Sequence, residues 1–483
     1  MSPLHLAVVG AGVSGLSAAR ELARVSSASG DPAEITVFEA ESRVGGRTLS
    51  EEMRGQRVDL GAESMLVRDP ATLETLSQLG LGKEVVRPGT TSASIWTGRR
   101  LVPIPRGTAL GVPVHPLRPE VVRLLGPWGA LRAALEPWLN GPPVHPDDPL
   151  GPFLVGRLGK AAVRRLVDPL LGGVYAGPAE LLSVGTVAPH LLAALERDPS
   201  LLRGLRRQPP AAPGAGPGFI SLRQGLQTLA EALAATLDPS SLRLSTLVQG
   251  AWPGPRGRVR LETGGGTAQE FDGVILALPA PPASEVIRGI SADLARELGR
   301  QPNSNVATIT LAYSESALDR RPEGSGFLVP RFPGRVVTAC TFMDQKWPHL
   351  RQPGVILLRA SAGGQGDDWP TETDDATLVT SVHTHLRRHL GLRQVPLEAR
   401  VQRWRPALPQ YRAGHLAWRD SVEKLTASLP YPVTLAGSAY RGVGLEACMR
   451  DGVRAAGDLW RRLGPGAERA ASGVGGPTAD ASP

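Results

Sequence analysis

The sequence predicts an α/β protein. It has a Rossmann-like dinucleotide-binding domain, a mixed antiparallel-sheet substrate domain and an inserted helical domain. Three observations carry this. A short apolar run, Leu4 to Val9, leads straight into Gly10-Ala11-Gly12-Val13-Ser14-Gly15 and a helical stretch, Leu16 to Val25. From Asn305 to Ala360 the chain is dominated by period-2 and apolar runs. Between Arg106 and Pro217 the pattern is helical and broken by prolines.

The first unit is read residue by residue. Gly10 permits a tight turn, Gly12 lets the backbone approach a pyrophosphate, and Gly15 lets the helix pack closely on the strand. Ala11, Val13 and Ser14 complete the loop at the helix N-terminus, where free N–H groups and the positive dipole end favour phosphate. The second strand, Ile35 to Phe38, ends at Glu39 with Ala40 beyond it. A carboxylate there hydrogen-bonds a ribose hydroxyl. Arg43-Val44-Gly45-Gly46-Arg47-Thr48 follows. This run resembles the second signature of the glutathione-reductase-type flavoproteins, in the branch that includes amine oxidases, phytoene desaturases and protoporphyrinogen oxidases. The resemblance implies FAD, with Gly45, Gly46 and Arg47 lying along it. The competing reading is an NAD-binding unit with a chance GGR turn.

Composition narrows the class. A chain of 483 residues, 41% hydrophobic, can bury the cores of roughly three domains. Its two cysteines, Cys340 and Cys448, have no CxxC partner, so neither a disulfide framework nor a metal site is implied. No apolar run reaches the ~18 residues of a membrane span. The first strand starts at Leu4, leaving no room for a signal peptide, so a cytoplasmic location is expected. The net charge of +8 comes almost entirely from arginine, which suits a GC-rich genome or an anionic partner. With aromatics at 4% and no recognition motif, nucleic acid is not expected as that partner. Nothing in the sequence sets an oligomeric state.

Residues 1–90 form the first part of the cofactor domain. Arg57 to Leu60 is a return strand, followed by the loop Gly61-Ala62-Glu63-Ser64, and Pro70 to Leu81 is an amphipathic helix. Residues 91–105 form a hairpin of the substrate domain, Ser92 to Thr97 with Leu101 to Ile104. Residues 106–217 are the helical insertion, with helices Glu120 to Leu125, Trp128 to Leu139, Ala161 to Leu171 and Leu181 to Arg197. Trp128 and Trp138 sit among leucines and arginines. A basic, Trp-bearing amphipathic helix suits a peripheral membrane contact; packing within the insertion is the expected role for each helix alone. Gln208 to Gly218 is a connector rich in proline and glycine.

Residues 218–290 return to the cofactor domain: a helix over Ser221 to Leu237, then strands Leu242 to Val248, Val259 to Glu262, Gln269 to Phe271 and Gly273 to Leu278. Residues 291–412 are the substrate domain, with strands Asn305 to Tyr313, Gly326 to Val329, Val336 to Phe342, Gly354 to Ala360 and Arg400 to Pro406, and a helix Ala376 to Leu390. Residues 413–463 close the cofactor domain through the strand, glycine turn and helix of the run Thr434 to Cys448. The tail 464–483 lacks apolar periodicity and is expected to be disordered.

Four runs identify a family. Gly173-Val174-Tyr175-Ala176-Gly177, then Glu180-Leu181-Leu182-Ser183, resembles the helical-domain signature of protoporphyrinogen oxidases. Leu408-Pro409-Gln410-Tyr411 with Gly414-His415, and Ala439-Tyr440-Arg441-Gly442-Val443-Gly444, resemble their C-terminal motifs. The loop Pro103 to Pro113, Thr338 to Phe342, Lys346-Trp347-Pro348-His349 and Leu357-Leu358-Arg359-Ala360 resemble the Gram-positive type, which oxidises coproporphyrinogen III. Ala93 stands where the eukaryotic type carries a propionate-binding arginine.

The resemblance implies non-covalent FAD, a porphyrinogen substrate and O2 as acceptor, in haem biosynthesis. Protoporphyrinogen IX is the alternative substrate; a flavin amine oxidase and a flavin-free prenyl-protein escort are remoter alternatives. It implies that Gly61, Ala62, Glu63, Ser64, Trp404, Tyr440, Val443 and Gly444 line the flavin, and that the backbone at Val248 meets adenine. Arg68, Arg106, Lys346 and Arg359 are the candidate cations for substrate propionates. No catalytic side chain is identified, because the flavin carries the chemistry. His349, His383, His385, His389 and His415 lack a carboxylate pattern and are read as surface or structural. Cys448 falls inside a helix and is read as packing, not as a covalent flavin anchor.

Overall fold

Strand Leu4–Val9 is the middle of a five-stranded sheet. Ala33–Phe38 and Leu242–Arg243 lie to one side, Gly273–Leu276 and Val433–Leu435 to the other, all parallel. The computed structural model describes residues 3–139, 141–207, 218–331 and 334–464. Both faces of this sheet are covered, as parallel sheets require. Leu6 and Val8 pack with Leu16, Leu22 and Leu459, while Ala7 and Val9 pack with Phe38, Ala283 and Ile287. Three chain segments far apart in sequence therefore meet at the C-terminal ends of one set of strands.

The second sheet has seven strands, ordered Glu398–Pro409, Asn303–Ser314, Val355–Gly363, Val337–Phe342, Gly326–Leu328, Ala93–Trp96 and Leu101–Pro103. Its pairs are antiparallel except Gly326–Leu328 with Ala93–Trp96. Helix Asp375–Leu390 lies across it and buries Leu378, Val382 and Leu386. A third core belongs to the helices between 119 and 206, around Leu154, Leu158, Leu166 and Leu202.

Several elements differ from expectation. The helix expected over Ser221 to Leu237 begins as strand Gly218–Leu222, which pairs with Met65–Val67 and Val85–Val86; the helix is Gln227–Ala234. The run Phe219-Ile220-Ser221-Leu222 is too short for periodicity to assign, and pairing with two other strands makes it a strand. Leu242 to Val248 is two strands, Leu242–Arg243 and Val248–Pro253, separated by Ser245 at φ 52°. The first joins the parallel sheet and the second a separate antiparallel one.

Pro137 ends helix Pro127–Ala134 in a 3₁₀ turn, Glu136–Trp138, and Pro189 divides Val184–Val187 from Pro189–Arg197. The helix expected over Ala161 to Leu171 contains a π turn, Val163–Val167, before Asp168–Tyr175. Helices Leu150–Leu158, Leu201–Arg206, Ala280–Ile287, Ala292–Gly299 and His415–Ala427 were not expected. Most of the 208–218 connector and the tail beyond residue 464 lie outside the described residues.

Trp128 and Trp138 correct the packing expectation outright. They are 82% and 76% exposed, beside exposed Leu131, Leu135 and Leu139. No helix among the described residues is long and apolar enough to cross a membrane.

Candidate active site

The glycine turn has the geometry its sequence predicts. Gly10 sits at φ 104°, and a Cβ there would meet Ala277 O at 2.6 Å. A Cβ on Gly15 would lie 1.9 Å from Gly10 O, so only glycine allows helix Val13–Ser29 to start this close to the strand. Around Gly12 nothing lies within 4 Å of that position, leaving its backbone open to a ligand. Ala11, Val13 and Ser14 are buried around it. The Glu39 carboxylate ends strand Ala33–Phe38 and accepts from Ala11 N at 2.8 Å and from Glu41 N at 3.0 Å. Glutamate is thereby tied to the same turn, while Ala40 is exposed.

The second signature closes on the first. Gly45 N donates to Ala11 O at 2.8 Å, and a Cβ on Gly46 would lie 3.4 Å from Gly12 Cα. Arg47 donates to Ser438 Oγ and to Pro406 O, each at 3.1 Å. It pairs with no carboxylate among the described residues, and burial pushes its guanidinium below the usual range. A desolvated cation without a counter-ion favours an anionic or strongly accepting ligand beside it. Trp404 packs 3.1 Å from the Cβ position of Gly61, and Ala62 N donates to Arg47 O at 3.0 Å.

The third glycine turn arrives from the C-terminal segment. Helix Leu445–Leu463 starts at Gly444, which has open space around it, and Gly452 packs backbone to backbone on Ser14. Asp451, which sequence reasoning missed, is buried under this turn and accepts from Gly437 N at 2.9 Å and Arg454 Nε at 2.8 Å. Val443 faces the helical core, and Val248 is buried at the start of its strand.

The Tyr440 side chain is buried and packed, the alternative to a place on the flavin face. Its ring stacks on Trp418 at 5.9 Å and lines a separate cavity of about 390 Å³ with Arg441, Arg454 and Arg462. Cys448 is buried in the last helix, with Sγ 3.8 Å from Gly442 O, and burial pushes its thiol up to about 11.

Beside the glycine turns lies a cavity of about 1400 Å³. Gly61, Ala62, Glu63 and Ser64 form one wall, the loop 103–108 and helix Asp168–Tyr175 another, and the seven-stranded sheet a third. Ala93 lines it too. The family-like runs also meet one another: Gln410 Nε2 donates to Tyr175 O at 2.6 Å, and Tyr411 donates to Ser438 O.

Its deep charges are paired. Lys346 Nζ donates to Glu63 Oε1 at 2.5 Å, and Arg359 Nη1 donates to Glu63 Oε2 at 2.9 Å. Burial alone would push the Glu63 carboxyl up, but the two cations outweigh it and hold it at about 2. Lys346 and Arg359 line the cavity as members of a salt bridge with Glu63. Arg106 does line the cavity, unpaired among the described residues. Arg68 is outside the cavity wall; its backbone N donates to Glu446.

The histidines are packed and neutral. His415 lies between Tyr411 and Trp418, and burial lowers it to about 4. His349 and His389 are likewise lowered by burial to about 4, and His383 bonds Tyr313 Oη at 3.0 Å. His385 Nδ1 accepts from Val336 N at 3.3 Å. None of the five lines the large cavity. No metal-binding cluster occurs among the described residues.

The profile of the flavin-containing amine oxidoreductases matches residues 13–459. A coproporphyrinogen III oxidase of Mycobacterium leprae is 34% identical over 465 residues, 94% of this chain and 98% of its own. One from Bacillus subtilis is 29% identical over 461 residues, 94% of this chain and 97% of its own. A crystal structure from Exiguobacterium, described as a protoporphyrinogen oxidase candidate, superposes with a TM-score of 0.83 at 31% identity, covering 96% of this chain and 100% of that one.

Proposed function

We propose the reaction from the premise that this chain belongs to the flavin-containing amine oxidoreductase family and is an oxidoreductase. It oxidises coproporphyrinogen III to coproporphyrin III with FAD and O2, in haem biosynthesis. The observation that carries this reading is the near full-length match to coproporphyrinogen III oxidases from two bacterial lineages.

FAD fits the residues present, in the manner of the glutathione-reductase-type fold. Glu39 accepts from the ribose, and Gly12, Gly45 and Gly46 give the pyrophosphate bare backbone. The start of helix Leu445–Leu463 gives a second set of free N–H groups, and Arg47, lacking a carboxylate, stands beside the cofactor. Val248, Gly61, Ala62, Ser64 and Trp404 complete the contacts. Binding is non-covalent: the Cys448 thiol is buried and bonded within its own turn. When bound, FAD supplies hydride acceptance and reoxidation by O2 to H2O2, so a six-electron change takes three cycles.

The protein's own part is orientation and exclusion of water. The Gly61–Ser64 loop forms one wall of the large cavity, so a macrocycle bound there would meet that loop. Glu63 fixes Lys346 and Arg359, leaving the deep wall with one net positive charge and no mobile group. Among the described residues the wall around Glu63 holds no histidine and no unpaired carboxylate, so the proton lost with each hydride would pass to solvent.

The test is aerobic turnover of coproporphyrinogen III, with porphyrin fluorescence and peroxide measured together. Three peroxides per porphyrin are expected; no porphyrin above the uncatalysed rate would refute the proposal. Equal or better turnover of protoporphyrinogen IX would move the enzyme to that substrate.

A peripheral membrane contact is the second part of the reading. Exposed Trp128, Leu131, Leu135 and Trp138 form one apolar face, near exposed Lys160 and Arg164 on a neighbouring helical segment. Binding to anionic vesicles that is reversed by salt is expected; release only by detergent would contradict it.

A further inference from the structure

The large cavity has six charged groups in its wall: Glu63, Arg106, Arg118, Glu120, Lys346 and Arg359. Four cations against two carboxylates leave it net positive by two. The deep part accounts for one unit, because Lys346 and Arg359 share Glu63. The rest lies at the exposed rim, and there it is not distributed as pairs. Neither Arg106 nor Arg118 makes an ion pair or a side-chain hydrogen bond among the described residues, and Glu120 pairs with neither.

The Arg118 side chain reaches the turn that carries Arg106. Gly107 turns the chain at φ 74°, and its Cβ position lies 4.0 Å from Arg118 Nη1. The Arg118 guanidinium therefore rests against the residue next to Arg106. Arg118 is also a poor choice for its local structure. It caps helix Pro119–Leu125 without any side-chain capping bond, where Ser, Thr, Asp or Asn would satisfy a free N–H. Two unpaired guanidiniums in one cavity rim repel each other, and an anion bound between them relieves that repulsion. A guanidinium's planar donor fork matches a carboxylate.

We propose that Arg106 and Arg118 form a carboxylate clamp at the cavity rim, and that this clamp, not Lys346 or Arg359, recognises the substrate's propionates. Arg118 becomes a specificity residue that no sequence motif indicated. The proposal rests on the porphyrinogen reading above.

The experiment uses the flavin-loaded full chain and needs no turnover. Binding of coproporphyrin III, a tetracarboxylate, is measured by fluorescence against its tetramethyl ester in the same mild detergent. Arg118→Gln and Arg106→Gln, alone and together, are compared with wild type and with Arg118→Lys. The double variant should bind the free acid roughly ten- to a hundredfold more weakly. Its affinity for the ester, its flavin content and its Tm should not change. KM for coproporphyrinogen III should rise with little change in kcat, and Arg118→Lys should recover part of the loss. Unchanged free-acid binding, or an equal loss for acid and ester, would overturn the clamp. A wild type that neither binds nor oxidises either form would instead overturn the proposed function.

Discussion

Replacing Glu63 with Gln removes the carboxylate shared by Lys346 and Arg359. Their side chains are 17% and 10% exposed, so both cations would remain in a largely desolvated wall without a counter-ion. The cost follows from the carboxyl itself. It is held at about 2 against an ordinary value of 4.5, and at 1.36 kcal/mol per pKa unit this is about 3 kcal/mol of stability. Breaking one side of a buried ion pair costs a similar ~3–5 kcal/mol. Because the folded value is depressed, the contribution is complete above about pH 4.5 and lost as pH falls through about 2. Thermal unfolding of both proteins across pH 3 to 8 checks it. Glu63→Gln should unfold at lower temperature at neutral pH, and the gap should narrow in acid. Adding Lys346→Met to Glu63→Gln should recover part of the loss. A neutral-pH Tm equal to wild type, or a gap that stays constant into acid, would refute the reasoning.

Asp59 runs the other way. Burial raises it to about 6 despite bonds from Ser50 Oγ at 2.6 Å and Leu226 N at 2.9 Å. Its penalty is absent at low pH and grows as pH rises through about 6. Asp59→Asn should therefore gain up to ~3 kcal/mol at pH 7, read by unfolding midpoint, and lose the pH slope between 4 and 7. Glu39→Ala should weaken flavin binding by ~1.5–3 kcal/mol, seen as lower flavin content after dialysis. Gly15→Ala forces a Cβ to 1.9 Å from Gly10 O and should abolish flavin retention, with soluble yield as the parallel readout. Acid precipitation should leave all flavin in the supernatant; colour in the pellet would contradict non-covalent binding.

The nucleotide turn was legible because every determinant is local. Strand Leu4–Val9, its glycines and Glu39 lie within one continuous stretch and report their own geometry. The seven-stranded sheet was legible as alternation, with ends moved by a few residues. Helix Ala280–Ile287 escaped because Pro281 and Pro282 look like breakers, although proline is tolerated in a first turn. The pairing of Glu63 with Lys346 and Arg359 spans 283 and 296 residues, and no periodicity reports a contact of that separation. Of the candidate cations, Lys346 and Arg359 share the single carboxylate of Glu63, and that sharing is not readable from the sequence. Trp128 and Trp138 read as packing residues because tryptophan among leucines usually is; only the tertiary arrangement left them outside.

The most direct test is anaerobic bleaching of the protein-bound flavin by three donors in parallel: coproporphyrinogen III, protoporphyrinogen IX and a polyamine. Coproporphyrinogen III should bleach it fastest, protoporphyrinogen IX more slowly, and the polyamine not at all. Bleaching by the polyamine, or faster bleaching by protoporphyrinogen IX, would contradict the assignment.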